Sequence, residues 1–262
     1  MKQYNPYAID WRFLPRDALY IKDCVRNKAV AASNYLARSP VTRSAWINLV
    51  GQGILRSIRR AGKLFVHIPK TGGTSTAKIL YNRNLPHYTY TFWTDVYQDQ
   101  ILGLETFSII RSPFAKLMSS YKMILAGGTD IMAYSYYWRR KFPNLQSFDH
   151  FADYIYEHRL NFRELPVDLW EQAAFVTDAE GRVMVDRLFM LNERCGFSPE
   201  LKDWLGVRDM PHLNATTPLA PRVSEETRRK VAEIYRRDVQ LYDLLRARGG
   251  YAQIRENPLH VR

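Results

Sequence analysis

The stretch LFVHIPKTGGTSTAKIL, Leu64 to Leu80, carries three signals in succession. Leu64, Phe65, Val66 and Ile68 form a short apolar run of good strand formers. Pro69 ends that run, because proline has no N–H to give to a central ladder. Gly72 and Gly73 then permit a tight turn close to a ligand. Thr74 and Ser75 are expected to cap a helix that continues through Thr76, Ala77, Lys78, Ile79 and Leu80. The unit is strand, glycine turn, helix. The N–H groups at such a helix start lack partners inside the helix and the macrodipole is positive there, so an oxyanion is the natural guest. Lys70, Thr71, Gly72, Gly73, Thr74 and Ser75 are the candidate donors to it. A Walker A loop has its lysine after the glycines, whereas Lys70 precedes them, so here the cation comes from the strand side.

A second unit of the same kind follows. Thr106, Phe107, Ser108, Ile109 and Ile110 read as a buried strand running into Arg111-Ser112-Pro113. Beyond Pro113, which suits a first helical turn, Phe114, Leu117, Met118, Tyr121, Ile124 and Leu125 recur at helical spacing. Ser119 lies eight residues after Arg111, about two helical turns inward, so both can meet one phosphate. Two such units predict an α/β fold with a central parallel sheet flanked by helices and a ligand at the carboxyl ends of the strands.

Further along, Phe148 to His158, Pro199 to Leu205 and a long stretch capped by Ser224 read as helices, and Val183 to Leu191 as a strand. The expected organisation is an N-terminal extension over 1–62, one domain over 63–250 and a tail over 251–262. Within the extension, Trp46, Ile47, Val50, Ile54, Leu55 and Ile58 fall on one face of a basic amphipathic helix. That face suits packing on the domain or contact with an anionic membrane surface.

The chain has 262 residues, and 38 Lys plus Arg against 26 Asp plus Glu give a net charge of +12. That excess favours anionic partners: a nucleotide, an acidic glycan, nucleic acid or a membrane face. Cys24 and Cys195 form no CxxC pair, so neither a disulfide framework nor a cysteine metal site is suggested. No His, Cys or carboxylate cluster has metal-ligand spacing. The first thirty residues have no apolar signal core, and no run reaches the roughly 18 to 20 apolar residues of a spanning helix. A cytoplasmic protein is the expectation.

The run HIPKTGGTS resembles the 5′-phosphosulfate loop of sulfotransferases that use 3′-phosphoadenosine 5′-phosphosulfate (PAPS), in the branch of heparan sulfate 2-O-sulfotransferase and bacterial carbohydrate sulfotransferases. RSPFAKLMSSY resembles that family's 3′-phosphate motif, matched by Arg111, Pro113, Ser119 and Tyr121, with Lys116 where the family often has an arginine. The resemblance implies a single P-loop-like domain that transfers a sulfuryl group from PAPS to a hydroxyl, on a carbohydrate or other acceptor, anionic ones included. The product would be adenosine 3′,5′-bisphosphate, with no metal required and no nucleic acid as partner. Animal members of that branch are usually membrane-anchored, so the lack of a spanning run points to a bacterial-type soluble enzyme, or to one trimmed of its anchor, touching a membrane at most through the basic N-terminal helix. Lys70 takes the role of the catalytic lysine, and His87, 24 residues before Arg111, stands near the family's histidine base. His212 and Asn214, in MPHLNATTP, resemble an element that closes over the nucleotide. On the acceptor side, Tyr134, Tyr136, Tyr137 and Trp138 beside Arg139, Arg140 and Lys141 suit sugar rings with acidic groups. Two other readings compete: a P-loop-type kinase, which calls for a lysine after the glycines, and a non-catalytic basic protein that binds acidic glycan or nucleic acid.

Overall fold

A computed structural model describes residues 52–125, 147–159, 165, 167–193, 196–210 and 222–261. Strands β1 (Lys63–Phe65), β2 (Glu105–Arg111), β3 (Arg187–Asn192), β4 (Gly196–Phe197) and β5 (Tyr251–Gln253) form one sheet. The first three are parallel, with Phe65 opposite Phe107 and Phe107 opposite Arg187. β4 and β5 run antiparallel along the far edge of β3, β4 at its carboxyl end and β5 at its amino end. The architecture is mixed α/β, with a parallel-rich sheet flanked by helices. A parallel strand covered on both faces needs an unbroken apolar run, and Thr106 to Ile110 are all buried.

Helix α1 (Gln52–Ala61) precedes β1 and sets Leu55 and Ile58 into the main core, leaving Arg56, Arg59 and Arg60 outward. For these ten residues the apolar face is used against the domain; the earlier part of the expected amphipathic helix lies outside the described residues. Helices α2 (Gly73–Tyr81) and α3 (Tyr90–Ile101) connect β1 to β2. The α3 region is dense in aromatics. Its signal is a cap and a spacing: Thr89 accepts a hydrogen bond from the Phe92 N–H, and Phe92, Trp93, Val96, Tyr97 and Ile101 are buried.

Helices α4 (Pro113–Leu125), α5 (Phe148–Glu157) and the short α6 (Ala173–Val176) lie between β2 and β3, and α7 (Pro199–Leu205) follows β4. The expected single helix after Ser224 is two, α8 (Glu225–Ile234) and α9 (Arg236–Ala247), broken at Tyr235 with φ −109° and ψ 41°. The Tyr235 hydroxyl reaches inward to donate to the Leu169 carbonyl. A second core, built from Leu117, Tyr121, Phe148, Phe151, Ile155 and Val231, joins α4, α5 and α8. The expected tail contributes β5, and Leu259 and Val261 are buried. Those apolar positions alternate with exposed neighbours over too few residues to be recognised alone. No helix among the described residues is long and apolar enough to cross a membrane.

Candidate functional site at the carboxyl edge of the parallel strands

Pairing between β1 and β2 runs past the end of β1, since the Val66 N–H donates to the Phe107 carbonyl at 2.8 Å. The chain then turns through two left-handed residues, Lys70 at φ 66° and Gly72 at φ 79°. For a lysine this is an uncommon and strained conformation. Thr71 tightens the turn by donating its hydroxyl to the Ile68 carbonyl at 2.9 Å. That bond occupies the threonine side chain, so its hydroxyl serves the loop.

The cap differs from the expected one. Gly72 is the N-cap of α2 and no side chain caps it; Thr74 and Ser75 sit inside the first turn. The first-turn N–H groups therefore keep the geometry that suits an anion. The two glycines are required by neighbours within the protein. A Cβ on Gly72 would lie 2.5 Å from the Phe197 ring, and one on Gly73 would lie 1.9 Å from His67 Cδ2.

Lys70 is half-buried, and its Nζ contacts the Met123 sulfur at 3.3 Å. Burial lowers the lysine pKa first, the charge of Asp168 opposes this, and the charge of Arg111 lowers it further. Arg111, at the end of β2, donates from Nη1 to the Lys70 carbonyl at 3.0 Å and from Nε and Nη2 to Glu193, each at 2.6 Å. Its main chain is clamped by Gln172, which accepts from the Arg111 N–H at 2.9 Å and donates to the Arg111 carbonyl at 2.8 Å. Lys70, Arg111 and the start of α2 thus converge on one edge of the sheet. Ser119 is half-buried one turn before Met123, on the face of α4 turned to Lys70. Among the described residues Arg111 makes no hydrogen bond to it.

His67 is buried, its Nδ1 3.1 Å from the Leu85 carbonyl. His87 is half-buried, its Nδ1 3.0 Å from the His67 carbonyl, and the two rings lie 4.2 Å apart. A carbonyl only accepts, so both Nδ1 atoms carry the proton and Nε2 is the basic nitrogen in each ring. Burial, then the neighbouring His87, push the His67 pKa well below the usual histidine value, so His67 is neutral beside the α2 start. His212 and Asn214 lie outside the described residues, as do Tyr134, Tyr136, Tyr137 and Trp138.

Beneath the site is a polar layer that the sequence reading missed. Lys116, fully buried, donates from Nζ to the carbonyls of Asp168 and Trp170, both at 2.8 Å. It is therefore turned into the interior and is not in the position of an extra phosphate contact. Asp238, also fully buried, accepts from the N–H groups of Gln172 and Ala173, both at 2.8 Å. The one available signal was Lys116 and Ser120, polar residues a turn apart among the apolar positions of α4. Glu193, separated from Arg111 by 82 residues, left no local signal. No group of three or more potential metal ligands occurs among the described residues. Comparison with protein families, with characterised proteins and with solved structures yields no match for this chain.

Proposed function

We propose that this chain is a PAPS-dependent sulfotransferase of P-loop-like fold, acting on a hydroxyl of a carbohydrate acceptor. One observation carries the reading. Lys70 and Arg111, from two separate strand-loop-helix units, are joined by the 3.0 Å bond from Arg111 Nη1 to the Lys70 carbonyl, beside the uncapped start of α2. Two cations on separate units suit a nucleotide with two separate phosphates. A triphosphate chain calls for a lysine beyond the glycines, which this loop lacks. Apart from Glu193 and the buried Asp168, whose charge also reaches Lys70, the charged groups there are cations, and with the N–H donors of α2 they fit an anionic nucleotide.

Sulfuryl transfer asks for in-line placement and for charge stabilisation at the leaving phosphate. Lys70 and the first-turn N–H groups of α2 supply the latter, and Arg111 holds the 3′-phosphate. The acceptor oxygen bonds to sulfur as the bond from sulfur to the phosphate oxygen breaks. That oxygen keeps the electron pair, and the acceptor proton passes to His87 Nε2.

Titration calorimetry with adenosine 3′,5′-bisphosphate and with ATP, each with and without Mg²⁺, tests the reading. Preferential, magnesium-independent binding of the bisphosphate is the expected result, and no binding of it sinks the proposal. A separate expectation concerns the base. His87→Ala should reduce turnover by about 100-fold while leaving bisphosphate affinity unchanged, because the ring is hydrogen-bonded to the His67 carbonyl and not to Arg111. Full turnover in this variant removes His87 from the mechanism.

A further inference from the structure

Each nitrogen of the Arg111 guanidinium makes a hydrogen bond, and two of the three go to one acid. Glu193 presents two carboxylate oxygens to Nε and Nη2, each at 2.6 Å, while Nη1 is anchored on the Lys70 carbonyl at 3.0 Å. Paired oxygens against one edge of a guanidinium are also what a phosphate offers. The carboxylate therefore occupies the place a phosphate would take on Arg111.

We propose that Glu193 is a displaceable placeholder for the second phosphate at this end of the site: its carboxylate holds Arg111 until an anion bearing that phosphate displaces it, a cost that falls on that ligand alone. This rests on the sulfotransferase reading, in which Arg111 takes the 3′-phosphate. Three features make the exchange workable. The third donor stays on the Lys70 carbonyl and Gln172 grips the arginine main chain, so the guanidinium keeps its aim while two of its donors change partner. The glutamate side chain is 42% exposed against 19% for the arginine, so the carboxylate returns to water from the mouth of the site. An ion pair at such a position is worth little, and a more highly charged phosphate outcompetes it. Only a ligand that reaches Arg111 has to break the pair. A nucleotide with a 5′-phosphate alone binds without disturbing Glu193, and gains nothing from its removal.

The test measures binding of adenosine 3′,5′-bisphosphate and of adenosine 5′-monophosphate to the full chain, as wild type, Glu193→Gln and Glu193→Ala. Both variants should bind the bisphosphate about 3- to 5-fold more tightly, the equivalent of one exposed ion pair. Their affinity for the monophosphate should match that of the wild type. If the bisphosphate binds the variants equally well or more weakly, Glu193 positions Arg111 and the proposal is overturned, while the sulfotransferase reading stands. Equal tightening for both nucleotides also overturns it, since that is a general charge effect. If no form binds the bisphosphate, the sulfotransferase reading fails and takes this proposal with it.

Discussion

Replacing Lys70 with methionine should lower sulfuryl transfer by about 1000-fold, the loss expected when a positioned charge donor is removed from a leaving group in a partly dry site. Bisphosphate affinity should fall in the same variant, because in the proposed mechanism Lys70 serves both binding and chemistry. Methionine is the informative replacement. It keeps a straight side chain against Met123, and the left-handed backbone at φ 66° is as unfavourable for Met as for Lys, so the conformational strain cancels. Removing a charge that burial already disfavours should leave thermal stability unchanged or slightly raised. Lys70→Gly supplies the opposite control, since it relieves the positive φ while also losing the charge. The pH profile is a second measurement. The lysine pKa is lowered, chiefly by burial, so wild-type transfer should decline on the alkaline side at a lower pH than an exposed lysine would give. That limb should be missing from the residual activity of the methionine variant. Undiminished turnover in Lys70→Met would remove the lysine from the chemistry.

Local pattern carried the framework of the fold. The apolar run at Leu64, the buried strand ending at Arg111 and the helix opened by Pro113 are short-range signals, and each element lies where its residues point. The same is true of the juxtaposition of Lys70 and Arg111, which follows once two parallel strands of this kind are neighbours. Of the two glycines, Gly72 lies in the expected turn and Gly73 opens α2, and closeness to a ligand is only part of the reason for either. Their missing side chains make room for Phe197 and His67, and Phe197 arrives from a strand more than a hundred residues away. The polar layer was least legible. Lys116, Asp168, Gln172 and Asp238 meet only after α4, α6 and α9 have packed, and a lysine in an amphipathic helix ordinarily faces water. Glu193 is a similar case, since nothing near it in the sequence distinguishes it from a surface glutamate.

That polar layer should also be the point at which the fold is most vulnerable. Asp238→Ala is expected to destabilise the protein by about 3–5 kcal/mol, measured as a fall in the urea midpoint. The change leaves the Gln172 and Ala173 N–H groups without their acceptor and Lys116 without the charge that favours its protonated form. Burial dominates both partners of the pair. The aspartate is pushed up to about 6, mainly by burial and against the pull of Lys116, and the lysine is pushed down to about 8 by the same cause. Asp238 thus has a folded pKa above its ordinary unfolded value of about 3.9, so the stability it contributes is present at low pH and declines as pH rises towards about 6. Lys116 has a folded pKa below its unfolded value of about 10.4, so its contribution grows as pH rises above about 8. Asp238→Ala should lack the first slope and Lys116→Met the second. Asp238→Asn, which keeps one carbonyl oxygen for one of the two N–H groups, should lie between the wild type and the alanine variant. The loss should also reach the site, because Asp238 fixes Gln172 and Gln172 grips both main-chain groups of Arg111. Bisphosphate affinity should therefore fall in Asp238→Asn even at temperatures where that variant is fully folded. An unchanged urea midpoint in Asp238→Ala would mean that the buried carboxylate stabilises nothing that water cannot replace.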